Sequence, residues 1–273
     1  MARTFRPPPL RAIRRYLPHL GRLGRAERWR RTKHRPRVWA HRGDSAHEPE
    51  NTLAAFDKAR AAGADGIELD VRLDGDGTVV VFHDDALERL TGRPGRMEDL
   101  PARERIALRV GGEPVPTLED VLGELGELDC NVEIKTERPA RTGPLVAAAA
   151  EVIRNSGRAD QVLVSSFDPV ALVQMHHRLP DIACAYLFHK DQPLPFRKGW
   201  VGNWTGASAL HPQNVLCTPE RVAAWHTSGF PVNAWTVDDE AELRRLDALG
   251  IDGVFCNDPG HALAVFGAAT TAR

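Results

Sequence analysis

Cysteine is scarce in this chain. The four in 273 residues, Cys130, Cys184, Cys217 and Cys256, stand far apart without a C-x-x-C pair. That spacing argues against a zinc ribbon or a disulfide framework. It favours small apolar core thiols in a reducing, cytoplasmic setting. Long apolar runs are missing too: no stretch approaches the roughly 20 residues of a spanning helix, and the N-terminus lacks the apolar h-region of a signal peptide. No G-x-G-x-x-G follows the first strand-like segment, so nothing marks a dinucleotide fold. Acids are nearly absent from the start of the chain. Met1 to Arg37 carries 13 Lys and Arg against Glu27 alone, leaving 23 bases against 36 acids beyond it, although the net charge is only -1.

A basic tail therefore precedes an acidic body. Residues 1–36 read as a mostly disordered extension, and residues 37–273 as one large domain. Within the tail, Leu10, Ile13, Leu17 and Leu20 can line one face of a short basic helix able to touch anionic lipid or nucleic acid, although Pro18 interrupts it. The plainer alternative is a solvated extension. Peripheral contact with a membrane through this tail is the partner expectation, and nucleic acid is not expected.

From Arg37 onward, short apolar runs alternate with amphipathic stretches of helical length, the pattern of βα units. Strands are predicted at Arg37 to His41, Gly66 to Val71, Asn131 to Lys135, Gln161 to Ser166, Ile182 to Phe188, Ala209 to His211, Val232 to Val237 and Gly253 to Cys256. Helices are predicted at Thr52 to Ala62, Thr117 to Leu125, Leu145 to Asn155, Pro169 to Arg178, Pro219 to Ser228 and Asp239 to Leu249. Asp168 and Thr218 precede prolines as N-caps, and Gly63, Gly157, Gly229 and Gly250 fall where helices should stop. Eight such units in this length fit an α/β fold of the (β/α)8 TIM barrel type, with an open doubly wound sheet as the alternative. An insertion at about residues 72–116, after the second strand, breaks the rhythm and is most easily placed at the C-terminal face of a barrel.

The chemistry concentrates where strands end. In "GIELDVRL", Ile67, Leu69 and Val71 share one face and Glu68, Asp70 and Arg72 the other. In a barrel the apolar face must pack on helices, so the carboxylates point inward. "NVEIK" repeats the arrangement with Glu133 and Lys135, and "WAHRGD" brings His41 and Arg42. Three carboxylates together would raise one another's pKa unless a cation joined them. Oxygen donors suit one hard divalent ion, Mg2+ or Ca2+, better than zinc. The "DGDG" turn folds the chain back so that His83 arrives near Glu68, within about one residue of register. Two imidazoles can accept and donate a proton in one displacement, while Arg42 and Lys135 suit an anionic substrate. An ordinary hairpin with one wet face remains the alternative for the Glu68 and Asp70 strand taken alone. His34, His47, His176, His177, His189, His226 and His261 receive no role.

The segments "AHRGDSAHEPENTLAAF", "GADGIELDVRLDGDGTVVVFHD", "LERLTG", "PVPTLEDVL", "NVEIK", "SSFDP", "NAWTVDDEAELRRLDALGIDGV" and "NDP", in order from about Val38 to Pro259, resemble the glycerophosphodiester phosphodiesterase family. The resemblance implies a TIM barrel with a small insertion after the second strand. It implies catalytic acid and base roles for His41 and His83, metal binding by Glu68, Asp70 and Glu133, and phosphate contacts from Arg42 and Lys135. Glu50, matching the glutamate of the E-N-T motif, is implied at the site floor, positioning substrate or metal. The implied reaction takes a glycerophosphodiester to sn-glycerol 3-phosphate and an alcohol, through a cyclic phosphate that water opens. Which histidine carries which proton stays open. The ending "VFCNDP" departs from the Thr-Asp-x-Pro form more usual in the family, which puts the contribution of Asn257 and Asp258 in doubt. "HKDQPLPFRKGWVGNWTGAS" matches poorly and is expected on the leaving-group side. Trp235 reads equally as a pocket wall, where it can face a choline, and as core packing.

Two other readings stand beside a metal-dependent glycerophosphodiesterase. One is a lysophospholipase D type activity, with the tail bringing the enzyme to membranes. The other is a phosphate-binding barrel without turnover, which would need a damaged site where every matched motif position is intact.

Overall fold

The computed structural model describes residues 22–32, 34–135 and 139–270. Its strands are β1 (Arg37–His41), β2 (Gly66–Leu73), β3 (Val79–Val81), β4 (Arg109–Val110), β5 (Glu113–Pro114), β6 (Asp129–Ile134), β7 (Val162–Ser166), β8 (Ala183–Phe188), β9 (Ala209–Pro212), β10 (Asn233–Ala234) and β11 (Gly253–Cys256). Eight of them run parallel in the order β10, β11, β1, β2, β6, β7, β8, β9. Two parallel bridges, Leu210 to Val232 and Gln213 to Trp235, bring the ends of that order together into a nearly closed barrel.

The alternation read from the sequence decides which face each side chain takes. Ile67, Leu69 and Val71 of β2 and Val132 and Ile134 of β6 join one buried cluster with Phe56 and Ala59 of helix Leu53–Ala61 and with Leu118, Val121 and Leu122 of helix Leu118–Glu124. Each buried aliphatic side chain contributes roughly 1.5–3 kcal/mol, so the polar face of these strands has to turn inward. Asp168 accepts from the Val170 amide and Thr218 from the Arg221 amide, so both expected N-caps form ahead of their prolines. Gly63, Gly157, Gly229 and Gly250 all adopt positive φ just after their helices, as a left-handed stop requires.

Differences from the sequence reading are local. The seventh barrel strand, expected over Val232 to Val237, reduces to the Asn233–Ala234 ladder with a single bridge on either side. The segment after β8 folds into two short helices, Leu194–Arg197 and Trp200–Thr205, the second bounded by left-handed Gly199 and Gly206. A closing helix, Pro259–Thr270, packs after β11. The insertion after β2 is a folded unit with its own apolar core, Val80, Phe82, Leu87, Met97, Leu100, Leu108, Val110 and Val115. Its turn is held by buried Asp74, which accepts from the amides of Asp76 and Thr78 and pairs with Arg105 at 3.0 Å.

The expectation of a disordered extension through residue 36 is corrected for the part that is described. Arg22–Glu27 is helical, and Trp29 is 1% exposed, its ring 5.9 Å from Trp39 of β1. Trp39 in turn stacks on Phe255 of β11, and these rings join Leu163, Ala183, Ala185 and Ala209 in a third core cluster. The basic residues around Trp29 meet acids, two of them where barrel strands begin (Asp65 before β2, Asp129 opening β6) and one, Asp247, in the helix Glu240–Ala248. Arg28 and Arg37 pair with Asp129, Arg35 with Asp65, and Arg31 with Asp247. Apolar burial and paired charge together hold this segment to the barrel. The expected helix through Leu10, Ile13, Leu17 and Leu20 lies outside the described residues.

Candidate active site

Chain geometry at the end of β1 is unusual from its first residue. Arg42 has φ 57° and Asn51 φ 59°, left-handed values that non-glycine residues adopt at a cost of about 1–3 kcal/mol and that cluster at functional sites. Hydrogen bonds hold both. The Arg42 amide donates to Glu68 Oε2 at 2.9 Å, the Asn51 amide donates to the Arg42 carbonyl, and Asn51 Nδ2 donates to Asp70 Oδ2 at 2.9 Å. Gly43 follows at φ 82°, where a Cβ would lie 2.6 Å from Ala55 Cβ, so glycine is required.

Glu68 and Asp70 of β2 and Glu133 of β6 then converge, with one oxygen from each within 4.8 Å of the others. They are nearly sealed from solvent: Glu68 is 3% and Asp70 1% exposed. Burial, then the charges of Asp70 and Glu133, push Glu68 well above the usual carboxylate range, and burial also raises Glu133. Burial acts on Asp70 in the same sense but is overcome by Lys135 at 3.2 Å and Arg42 at 3.3 Å, which hold it low. Lys135 also donates to Glu133 Oε1 at 2.8 Å. Two cations beside three buried carboxylates leave negative charge in excess, and an all-oxygen donor set of this span fits a hard divalent ion. A second acid and imidazole group, Asp44, His47 and Asp258, differs in kind. It joins buried Asp44 to exposed His47 and partly exposed Asp258, and the Asp44 hydrogen bond raises His47 toward its charged form.

The two candidate histidines stand in different surroundings. His41 Nδ1 lies 2.8 Å from Asn257 Oδ1, and Asn257 Nδ2 donates to Asp238 Oδ2 at 2.6 Å, which fixes the amide orientation. An amide oxygen only accepts, so Nδ1 carries the proton and Nε2 keeps its lone pair. Burial, followed by the Arg42 charge, lowers His41 to about 4. His83 faces a carboxylate instead, with Nδ1 2.6 Å from Asp84 Oδ1. The Arg89 hydrogen bonds lower Asp84 to about 2, so it stays ionised beside that ring. Arg72 donates from Nε and Nη2 to the His83 carbonyl at 2.9 and 2.6 Å, tying the returning chain to the inward face of β2.

A cavity of about 230 Å3 is lined by His41, Arg42, Glu68, His83, Glu133, Lys135 and Trp235, with Asn131, Phe167, Leu187, Thr236 and Phe255. Seven residues singled out in the sequence thus share one wall, and Asp70 lies buried between Arg42 and Lys135. Glu50 does not share it: it borders an adjoining recess and holds Arg42 Nη1 at 2.8 Å. Trp235 lines the cavity while donating from Nε1 to the His211 carbonyl at 2.8 Å, and Phe167 packs edge-on against it at 5.5 Å. The lining thus combines charged groups with aromatic surface. A larger outer groove of about 520 Å3, beside helices Leu118–Glu124 and Pro139–Asn155, has Glu119, Glu151 and Arg158 but no imidazole.

Sequence reasoning gave no role to Asp84, Arg89, Asn51 or Phe167 and set Asn257 aside. The signal was present for Asn51, inside the quoted "ENT", and for Asp84, directly after His83. Phe167 and Arg89 also lie inside quoted segments, "SSFDP" and "LERLTG", but only three-dimensional placement reveals their neighbours.

Residues 41–261 match the model of the glycerophosphoryl diester phosphodiesterase family. The chain is 34% identical over 232 residues to a glycerophosphodiester phosphodiesterase of Caldanaerobacter subterraneus, covering 81% of this chain and 94% of that protein. A Bacillus altitudinis protein of the same name is 32% identical over 248 residues, covering 84% and 97%. Among solved structures, an Oleispira antarctica phosphodiesterase in complex with the product sn-glycerol-3-phosphate superposes with a TM-score of 0.79 at 30% identity, covering 85% and 97%.

Proposed function

The chain belongs to the glycerophosphoryl diester phosphodiesterase family and is a phosphoric diester hydrolase, and from that premise we propose that it cleaves glycerophosphodiesters to sn-glycerol 3-phosphate and an alcohol by two-histidine proton transfer. The observation that carries the proposal is the meeting of His41, His83, Arg42, Lys135, Glu68 and Glu133 on one cavity wall.

His41, neutral with its lone pair on Nε2, accepts the proton of the attacking glycerol hydroxyl. That oxygen bonds to phosphorus as the bond to the alcohol breaks. His83, whose Nδ1 is held by Asp84, donates its Nε2 proton to the departing oxygen. Water then opens the cyclic phosphate with the two roles reversed. Arg42 and Lys135 grip the phosphoryl oxygens, and Glu50 fixes the Arg42 side chain. Glu68, Asp70 and Glu133 hold one divalent cation, Mg2+ or Ca2+, which when bound supplies further positive charge to the phosphoryl group. Trp235 and Phe167 face the carbon skeleton of the substrate.

The lysophospholipid reading is not favoured, since the relatives that support the assignment are named for glycerophosphodiesters. A peripheral membrane position is supported by one observation: Trp200 and Trp204, one helical turn apart, are 54% and 74% exposed, with the Lys198 ammonium 5.0 Å from the Trp200 ring centre. Among the described residues no helix is long and apolar enough to cross a membrane. The cytoplasmic location proposed with it rests on four buried free thiols.

The test is a panel of glycerophosphocholine, glycerophosphoethanolamine, glycerophosphoglycerol and lysophosphatidylcholine, each assayed with EDTA and after Mg2+ or Ca2+ is restored. Chelator should abolish release of sn-glycerol 3-phosphate, and one of the two ions should restore it. Full turnover in excess EDTA would remove the cation from the proposal, and cleavage of the lysophospholipid alone would remove the substrate class.

A further inference from the structure

Arg89 lies outside the cavity, on the short helix Glu88–Thr91 of the insertion, with its side chain 49% exposed. A surface arginine ordinarily makes one loose ion pair. This one forks onto two carboxylates at once. Nε and Nη2 donate to Asp84 Oδ2 and Oδ1 at 2.5 and 2.9 Å, while Nη1 and Nη2 donate to Glu50 Oε2 and Oε1 at 2.9 and 2.8 Å. Four of its five N–H bonds are thereby directed.

Each carboxylate is in turn the partner of a residue in the cavity wall. Asp84 Oδ1 meets His83 Nδ1 at 2.6 Å, and Glu50 Oε1 meets Arg42 Nη1 at 2.8 Å. The chain of contacts runs from His83 through Asp84, Arg89 and Glu50 to Arg42, with the guanidinium at its centre. We propose that Arg89 is a positioning residue for the phosphodiesterase reaction, a planar clamp by which the insertion fixes His83 and Arg42 relative to one another. The inference rests on the catalytic reading given above.

A guanidinium suits this task because its donors lie in one plane at fixed angles. Without it, Asp84 keeps only the imidazole and can rotate, so the His83 ring loses the contact that aims Nε2. Glu50 then faces only Arg42 and can swing with it into the adjoining recess. A purely structural role fits poorly. The insertion has its own apolar core, and ion pairs with so exposed an arginine contribute little to stability.

The two arms give separable kinetic signatures. Misaiming a proton carrier lowers kcat, whereas loosening a phosphate-gripping arginine raises KM. Arg89→Ala should lower kcat on the order of 10- to 100-fold and raise KM for glycerophosphocholine several-fold, with Tm within about 4 °C of the parent. Arg89→Lys keeps the charge but not the fork and should recover only part of the loss. Independently of activity, the downfield imidazole N–H resonance of the His83 to Asp84 bond, assigned by its loss in His83→Ala, should vanish in Arg89→Ala.

Parent-like kcat and KM in Arg89→Ala would overturn the inference. So would lost activity that tracks a collapse of Tm with KM unchanged, since that is the signature of unfolding. Failure of the parent enzyme to hydrolyse any glycerophosphodiester would remove the catalytic reading instead, and the resonance still reports whether Arg89 orients His83.

Discussion

His41 and His83 differ in the partner each Nδ1 meets, an amide oxygen for His41 and a carboxylate for His83. Asn257 offers His41 an acceptor without charge, and burial followed by the Arg42 charge lowers it to about 4. The free base therefore persists well below its ordinary range, and the acidic limb of kcat/KM should fall near that value if His41 accepts the proton. Asn257→Asp puts an anion beside Nδ1, which favours the charged ring and raises its pKa. The expected outcome is an acidic limb displaced to higher pH, with activity lost first on the acid side. A profile that does not move would separate Asn257 from the proton carried by His41. Replacing either histidine by Ala should lower turnover by about 100-fold or more, read against an unchanged circular dichroism spectrum.

At the scale of elements, β2 and β3 deliver three of these groups on one hairpin, and the hairpin depends on Asp74. Its carboxylate is fully buried, accepts from the amides of Asp76 and Thr78, and pairs with Arg105. Asp74→Ala leaves Arg105 and two turn amides without their partner. Loss of one side of a buried ion pair costs about 3–5 kcal/mol, so urea unfolding should show a deficit of that order, with faster hydrogen exchange concentrated at residues 72–116. Deficits spread evenly over the barrel would contradict a local role. This hairpin was legible in the sequence because the "DGDG" turn and the alternation of Glu68 and Asp70 with aliphatics are local features. Register β2 against β3 pairs Val71 with Val81 and Leu73 with Val79, which carries His83 to the height of Leu69, one residue from the expected position. Asn257 was harder to judge. Its role depends on a β1 to β11 neighbour more than two hundred residues away, and the amide shows its meaning only with His41 in contact. The bridging position of Arg89 was likewise beyond periodicity, because an exposed helix residue has no pattern that names its partner.

For the whole molecule, the contrast between basic start and acidic body resolves into an assembly contact over the described part of that start. Arg28, Arg31, Arg35 and Arg37 meet Asp129, Asp247 and Asp65, and Trp29 is buried against Trp39. Composition alone suggested a solvated or membrane-seeking tail because it counts charges without their partners. Tryptophan burial contributes more than the charges do, since truncation of a core aromatic costs about 3–5 kcal/mol, whereas partly exposed ion pairs contribute about 0–1 kcal/mol each. Deletion of residues 1–21 and deletion of residues 1–36 should therefore differ. The shorter deletion serves as the reference. The longer one should lose stability on the order of 3–5 kcal/mol or more, and Trp29→Ala in the full chain should reproduce most of that loss. Equal midpoints for the two deletions would return residues 22–36 to the role of an appendage, with the barrel stable on its own. A loss in the longer deletion that Trp29→Ala does not share, and that grows as salt is lowered, would assign the contact to charge pairing rather than to the indole.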